Sequence, residues 1–574
     1  MIILGITAFQ HDSAACVLVD GKLVAAAEEE RFTRKKHDGG FPYGAISYCL
    51  DEIGASINDV AWVAFCINPW LNLHRKLFHL ARYFPRTLAF CRDQADYSSG
   101  IPSMMVAKQY LRKLPGYDPK QARFKFQFVE HHIAHAYSCF TISPFDEAAI
   151  LTADGIGEWT TTLLAQGRGN TISKFKEIYF PFSLGAFYTT LTTYLGFKRN
   201  SDEYKVMGLS SYGKTDEYYN EFKRVLRLVP DGEYEMDMSF FNYQFGKIPY
   251  YSDKFLLTFG EDRKPGQEVS DRHAEVARGG QRRLEDALLH MANYLHKITG
   301  SKNLCLNGGV ALNCVANGRL IKETQFEDIY VQPAAYDAGA AVGAAFFVHN
   351  GILGNPRDFV MDNTFWGPEY SHEQIEAFLK LAKVPFREVK DPSAEAAKLL
   401  ANGHVIGWFQ GRMEFGPRAL GKRSILADPR DPQMKDVVNE QVKHRESFRP
   451  FAPSILAEKV SEYFDFSYPS PFMLLVYNVL PEKRKVIPSV THVDGTGRVH
   501  TVVKSMDPLY YNLIAEFERL TGVPVVLNTS FNVKEEPIVC TPKDALRCFY
   551  TTGLDDLVID NFVLSKTPAQ RRPR

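Results

Sequence analysis

The sequence predicts an α/β protein of more than one domain, whose first domain is built as two lobes of one design. Three observations carry this reading. The chain has 574 residues, beyond the size at which a single core stops growing, so two or three domains are expected. A pattern of strand, polar loop, strand, turn and strand occurs at the N-terminus and again from Ala148. From His273 to Ala345 helical periodicity alternates with short β-type runs.

The first repeat runs from an apolar stretch, Ile2 to Thr7, through the polar turn Gln10-His11-Asp12-Ser13 to Ala14–Val19, an Asp20-Gly21 turn, and Lys22–Ala27. The second runs from Ala148 to Thr152, through Asp154-Gly155-Ile156-Gly157-Glu158 to Thr160–Ala165, Gly167-Arg168-Gly169-Asn170, and Ile172–Phe175. Such a duplication suits a nucleotide cleft between lobes, because small Gly- or Ser-bearing loops let backbone N–H groups approach phosphate oxygens. A chance likeness of two hairpins is the alternative.

Between the repeats, Phe124 to Val129 alternates apolar and polar residues, which predicts a strand. It hands over at Glu130-His131-His132-Ile133-Ala134-His135 to small and apolar residues that continue as a helix. There His131 and His135 project from one face and can share a divalent metal, while His132 points roughly 100° away. The metal would need a further, acidic ligand. An ordinary hydrogen-bonded histidine pair is the other reading. His132 stands where the familiar metal-peptidase pattern has Glu, which argues against a zinc protease.

Downstream, His273–Thr299 has the apolar spacing of a helix and Asn303–Leu306 reads as a strand. In Asn307-Gly308-Gly309-Val310-Ala311-Leu312-Asn313, two glycines remove every Cβ where backbone would meet a nucleotide. Ile329–Gln332 reads as another strand, and Ala338–Ala345 as a helix of minimal bulk with Asp337 at its start. Asp337 is then an N-cap, the missing carboxylate for His131 and His135, or both.

Breaks at Asn350–Pro356 and Phe365–Pro368 divide the chain into residues 1–355 and 356–574. The second part sets cations among glycines from Gly411 to Ser424, including Arg418, and continues with Lys443, Arg445, Arg449, Arg498 and Asn528-Thr529-Ser530-Phe531-Asn532. Arginine forks with Ser and Asn side chains make a cradle for a small doubly charged phosphate; exposed cations paired with Asp and Glu are the ordinary alternative.

With 67 basic and 67 acidic residues the formal charge is +0, so no whole-chain field argues for a nucleic-acid or anionic-membrane partner. The nine cysteines are scattered and never spaced CxxC, which points to reduced thiols and a cytoplasmic location. No basic n-region precedes the first apolar run, and no apolar stretch approaches 18 residues, so neither a leader nor a membrane span is expected. The basic end, Gln570–Arg574, reads as a frayed terminus.

Taken together, His131-x-x-x-His135, Asp154-Gly155, Glu203-Tyr204-Lys205-Val206-Met207-Gly208, Asn307-Gly308-Gly309, Asp337, Gly416-Pro417-Arg418-Ala419-Leu420-Gly421 and Asn528–Asn532 resemble the O-carbamoyltransferases of the nodulation-protein and antibiotic-tailoring type. The resemblance implies a two-lobed actin-like ATPase (Kae1-like) N-terminal domain and an α+β YrdC-like C-terminal domain. It implies that carbamoyl phosphate is cleaved in the C-terminal domain and the carbamate adenylated with ATP/Mg2+. The carbamoyl-adenylate then passes to the N-terminal domain, where a divalent metal, iron in the family's usual assignment, helps move the carbamoyl group to an alcohol.

Carried over by motif, His131, His135 and Asp337 become metal ligands, and Arg418, Lys443, Arg449, Arg498, Ser530 and Asn532 the carbamoyl-phosphate and adenylation site. Asp154, Gly155, Asn307, Gly308, Gly309 and Asn313 fall to the nucleotide. Glu203 and Lys205 are expected at nucleotide or acceptor, with an ordinary ion pair as the alternative. His11 and Asp12 are candidates for the base that takes the acceptor's proton, against a plain turn with a capping Asp. Lys422 departs from the neutral residue expected there. The expected acceptor is a small-molecule or saccharide alcohol, with Trp70 to Lys120 as a candidate wall or a helical packing insert. A homodimer is among the expected assemblies. The rival readings are an actin-like kinase or ATPase, a threonylcarbamoyl-tRNA-type enzyme, against which the zero net charge counts, and a non-catalytic nucleotide sensor.

Overall fold

The computed structural model describes residues 1–94 and 101–567; residues 95–100 of the Trp70–Lys120 segment and the basic end Gln570–Arg574 lie outside the described residues. The chain divides into two compact units, one of Met1–Thr33 and His37–Met361, the other of Arg34–Lys36 and Asp362–Arg574. The division falls beyond 355/356 because the intervening residues still bond to the first unit. Arg357 donates to the carbonyls of Phe140 and Thr141, and the Met361 N–H to Ile142.

The first unit holds two five-stranded sheets of one plan. In the first, β1 (Ile2–Thr7), β2 (Ala14–Val19) and β3 (Lys22–Glu28) form an antiparallel meander, and β4 (Trp62–Phe65) and β5 (Lys125–Phe128) add parallel to β1, giving the order β3-β2-β1-β4-β5. In the second, β6 (Glu147–Ala153), β7 (Thr160–Arg168) and β8 (Thr171–Tyr179) repeat the meander. A side hairpin, β9 (Leu226–Val229) and β10 (Glu233–Met236), precedes β11 (Asn303–Asn307) and β12 (Asp328–Val331), which add parallel to β6. The second order, β8-β7-β6-β11-β12, matches the first strand for strand. The two-lobed α/β reading is therefore met by topology, and the hairpins are not a chance likeness.

The helices that matter for the site are α1 (His131–Phe140), α2 (Glu203–Ser210), α3 (Asp271–Thr299), α4 (Cys314–Glu323) and α5 (Asp337–Phe346). Every residue of α5 is buried, which its Ala-Gly composition allows. A Cβ on Gly343 would stand 1.8 Å from the Ala134 carbonyl oxygen of α1, and one on Gly5 of β1 would stand 2.1 Å from the Ala341 oxygen of α5. Backbone meets backbone on both sides of α5, so bulkier side chains would force the elements apart. Ser138 of α1 donates to the Gly339 carbonyl at 2.6 Å and Gln332 to the Ser138 carbonyl at 2.6 Å, which fixes the register of the two helices.

The second unit is α+β. Its nine-stranded mixed sheet comprises β13 (Arg387–Glu388), β14 (Ile406–Phe409), β15 (Arg423–Ala427), β16 (Ala452–Leu456), β17 (Leu475–Asn478), β18 (Thr496–Val502), β19 (Val525–Ser530), β20 (Asp556–Ile559) and β21 (Phe562–Ser565), in the order β13-β21-β20-β14-β15-β19-β16-β18-β17. Helices α6 (Pro392–Ala401), α7 (Pro508–Thr521) and α8 (Pro542–Thr551) each start with Pro behind an Asp391, Asp507 or Thr541 cap, residues that satisfy the first free N–H groups. Trp408, Tyr510, Phe517 and Phe549 centre its core.

All nine cysteines are free thiols, and no helix among the described residues is long and apolar enough to cross a membrane.

Because α5 has no room for a Cβ at position 343, Gly343→Ala is expected to destabilise the first unit by about 2 kcal/mol, in the range of an overpacked core. Urea denaturation followed by circular dichroism checks this: the first unit's midpoint should fall, while Gly155→Ala, where nothing lies within 4 Å of the added Cβ, should lower it far less.

Candidate functional site

The strand-to-helix handover that ends β5 places Glu130 at the cap of α1 and His131 at its first turn. Two oxygens of Glu158 accept from the His131 N–H at 3.0 and 3.2 Å, so a carboxylate sits on the positive end of the helix. The same Glu158 accepts from the Asn68 N–H at 2.7 Å. His132 leaves the face shared by its neighbours. Its Nε2 lies 3.0 Å from the Thr160 carbonyl and its Nδ1 2.6 Å from the Thr152 hydroxyl, and burial, with the charges of His131 and His135, holds its pKa well below the ordinary value. It is a neutral tie between α1 and the second sheet.

His131 and His135 turn their Nε2 atoms toward each other at 3.1 Å. Asp154 Oδ2 stands 3.3 Å from the first and 3.2 Å from the second. Asp337 Oδ1 completes the group at 3.5 and 3.7 Å, and all four donor atoms lie within 4.8 Å of one another. Nitrogen or oxygen donors about 2.1 Å from one ion stand about 3.0 Å apart at right angles and about 3.4 Å apart in a tetrahedron, so the spacing fits a single cation. The Nδ1 of His135 is buried without a hydrogen-bond partner and Cys66 interacts with His131, while both imidazoles face the cluster through Nε2. Two imidazoles and two carboxylates with no other cation among them form a donor set for a divalent metal.

Asp337 is the first residue of α5, and Tyr336 occupies its cap position. Of the two readings of this residue the structure shows the carboxylate turned to the histidines. Asp154, read from sequence as a nucleotide contact, joins the same cluster. Its second oxygen accepts from the N–H of Gly155 at 2.7 Å and of Gly309 at 3.2 Å. Gly308, at φ +88, brings this loop so close that a Cβ would meet the Ala153 oxygen at 2.2 Å. The glycine pair of the Asn307-Gly308-Gly309 turn thus serves to hold Asp154. Asn307 donates to the His135 carbonyl at 2.7 Å, bracing the helix that carries the pair. Sequence reasoning missed Glu158 as a helix anchor and Asp154 as a metal donor; the run Asp154-Gly155-Ile156-Gly157-Glu158 held the signal, two carboxylates spaced by glycines.

Burial opposes charge on His131 and His135, but Asp337 and Asp154 outweigh it and raise both pKa values; the two imidazoles in turn hold Asp154 well below the usual carboxylate range against its own burial. Free of metal, the cluster therefore keeps a proton where the cation would sit.

The remaining candidates divide. His11 Nδ1 pairs with Asp12 Oδ2 at 2.6 Å. Burial works against its charge, yet Asp12, with Asp337 and Asp154 behind it, holds its pKa up to about 10. In the metal-free protein His11 thus favours its charged form. Glu203 accepts from Thr189 at 3.1 Å and the Asn200 N–H at 2.8 Å, and burial raises its pKa. Lys205 is paired with Asp202 at 2.9 Å over the Phe197 ring. Asn313 caps α4 and exchanges two hydrogen bonds with Gln281.

In the second unit, Lys443 Nζ donates to the Ser530 and Asn532 carbonyls at 2.7 and 2.9 Å and to Asn532 Oδ1 at 2.5 Å. Burial, with Arg445 and Arg449 adding like charge, holds its pKa well below the ordinary lysine value. Glu414 Oε1 accepts from the N–H groups of Leu420 and Lys422 at 2.7 and 2.8 Å, and Asn528 donates to Ala419 at 3.0 Å. These bonds clamp the loop that carries Arg418 to the strand leading to Ser530. Arg449 approaches Glu446 at 3.4 Å, and Arg498 lies on β18, where its charge acts on His492. Lys422 is matched by Asp507 at 2.9 Å, so it adds no free charge near the loop.

Two family models match the chain: "Carbamoyltransferase N-terminus" over residues 2–346 and "Carbamoyltransferase C-terminus" over residues 397–566. Among curated relatives, an uncharacterized protein of Synechocystis is 45% identical, covering 99% of this chain and 97% of its own. The nodulation protein NolNO of Sinorhizobium fredii is 37% identical over 98% of this chain and 80% of its own. NolO of Bradyrhizobium diazoefficiens is 42% identical over 77% and 79%.

Metal binding is expected to release protons and to strengthen as pH rises through the raised histidine pKa values, since the neutral imidazole is the ligand. Calorimetry of the metal-free protein with Fe2+ under anaerobic conditions, in buffers of different ionisation enthalpy, checks both. Asp154→Asn should weaken binding by more than about a hundredfold, beyond the loss typical of an outer-shell partner; an unchanged affinity would place Asp154 outside the donor set.

Proposed function

This chain belongs to the carbamoyltransferase family, and on that premise we propose that it moves a carbamoyl group from carbamoyl phosphate to a hydroxyl of a small-molecule or saccharide acceptor. The route is a carbamoyl-adenylate made with ATP and Mg2+ in the second unit and consumed in the first. The observation that carries this reading is the convergence of His131, His135, Asp154 and Asp337 on one point. Those four would hold a divalent cation, for which iron(II) suits the imidazole and carboxylate donors, and it would supply Lewis-acid polarisation of the carbamoyl oxygen.

The protein's own groups do the rest. Burial lowers the pKa of Lys443, and a phosphate dianion bound beside it would raise that pKa again and favour the charged ammonium. Arg418, Arg449, Ser530 and Asn532 supply forked and hydroxyl donors around it. In the first unit the imidazole of His11 would donate to the anionic phosphate of the adenylate. Asp12 holds that imidazole in one orientation.

Incubation with ATP and carbamoyl phosphate should yield AMP and pyrophosphate, read by chromatography; ADP alone would indicate a kinase, and no turnover a sensor. His131→Ala should abolish transfer while leaving ATP–pyrophosphate exchange within about threefold of wild type, because the two steps use different units. Arg418→Ala should do the reverse, blocking exchange while supplied carbamoyl-adenylate is still consumed. Equal loss of both partial reactions in a folded variant would sink the division of labour.

A further inference from the structure

One hydrogen-bonded line near the metal cluster is left unused by this account. Asp12, at φ +61 in the loop between β1 and β2, gives its two carboxylate oxygens to different imidazoles. Oδ2 meets His11 at 2.6 Å, and Oδ1 meets His37 Nδ1 at 2.7 Å. The far nitrogen of His37, Nε2, stands 3.1 Å from Ser201 Oγ. The His37 N–H is fixed in turn by Glu30 Oε2 at 2.7 Å. Three segments distant in sequence thus set a carboxylate, an imidazole and a hydroxyl in one row.

The order of partners dictates the tautomer. A carboxylate only accepts, so neutral His37 donates from Nδ1 to Asp12, and its Nε2 carries the lone pair, aimed at the Ser201 hydroxyl. This is the arrangement by which an oriented imidazole activates a hydroxyl. Its place is also apt. Asp337 and Asp154 act electrostatically on His11, which shares Asp12 with His37, and His11 acts on Glu203, two residues beyond Ser201.

We propose that Ser201 and His37 form the proton exit for the acceptor alcohol, with Asp12 as the positioning residue. This rests on the transfer reading above. The acceptor O–H bond breaks as its oxygen bonds to the carbamoyl carbon, and the bond from that carbon to the adenylate phosphate oxygen breaks with AMP taking the electron pair. The acceptor's proton passes to Ser201 Oγ, whose own proton passes to His37 Nε2. His37, a quarter of whose side chain is exposed, returns it to water.

The test uses the full chain with Fe2+, Mg2+, ATP and carbamoyl phosphate, and glycerol at molar concentration as a surrogate alcohol, with carbamoylglycerol measured by mass spectrometry. His37→Gln and Ser201→Ala should each lower kcat for carbamoylglycerol by about a hundredfold, leave ATP–pyrophosphate exchange unchanged, and flatten the acid limb of the pH profile. His11→Gln should retain that limb; the titratable groups bonded to this row are His11, Asp12 and Glu30. Without any acceptor, nitrogen NMR of 15N-histidine-labelled protein should show His37 as the Nδ1–H tautomer, with its signals moved by Ser201→Ala. A full acid limb in His37→Gln, its loss in His11→Gln, or an Nε2–H tautomer overturns the proposal. Absence of pyrophosphate exchange in the wild type overturns instead the functional reading on which it rests.

Discussion

The cluster of His131, His135, Asp154 and Asp337 depends on one steric constraint, the meeting of α5 with α1 and β1 at backbone distance. Gly343 and Gly5 admit no Cβ without collision with a carbonyl oxygen. Only because these surfaces are bare can α5 sit deep enough for Asp337, at its first turn, to come within 3.5 Å of His131. Helix packing with ordinary side chains sets axes about 8–10 Å apart, and bulk at these positions would withdraw the carboxylate. The composition of this helix is thus a positional device as much as a packing one.

The cluster is also held from behind. Glu158 anchors the start of α1, Asn307 its middle and His132 its other face, while the Gly308-Gly309 turn fixes Asp154. Such outer contacts keep donors aligned when no ion is bound, and they matter because two like-charged carboxylates in one buried space repel. A proton kept between His131 and His135 compensates that repulsion in the metal-free protein. A divalent cation at this point would compete with that proton for the same charge balance.

The second unit solves a different electrostatic problem. A lysine buried with arginines nearby is unfavourable as a cation, and the carbonyls of Ser530 and Asn532 compensate only in part. A bound anion would offset that cost, as the proposed phosphate site requires. Glu414 and Asn528 hold the Gly416–Gly421 loop against β15 and β19.

Much of this was legible in the sequence, because it is local. The period-2 runs and turn residues located the strands of both meanders, the duplicated order of elements announced two lobes, and the i, i+4 spacing put His131 and His135 on one face. What sequence could not assign was the partner of a residue across the fold. Asp154 read as a nucleotide contact, Lys205 and Asn313 as ligand contacts, and Asp337 as cap or ligand, because spacing says nothing about which distant side chain fills a given space. His37 and Ser201 carried no local signal at all. The sequence by itself determined the elements, their faces and the chemistry available at each position, since those follow from dihedral preference and periodicity. Only the tertiary structure decided which carboxylate met which imidazole, since that depends on the close approach of helices whose contact residues have no side chains to announce it.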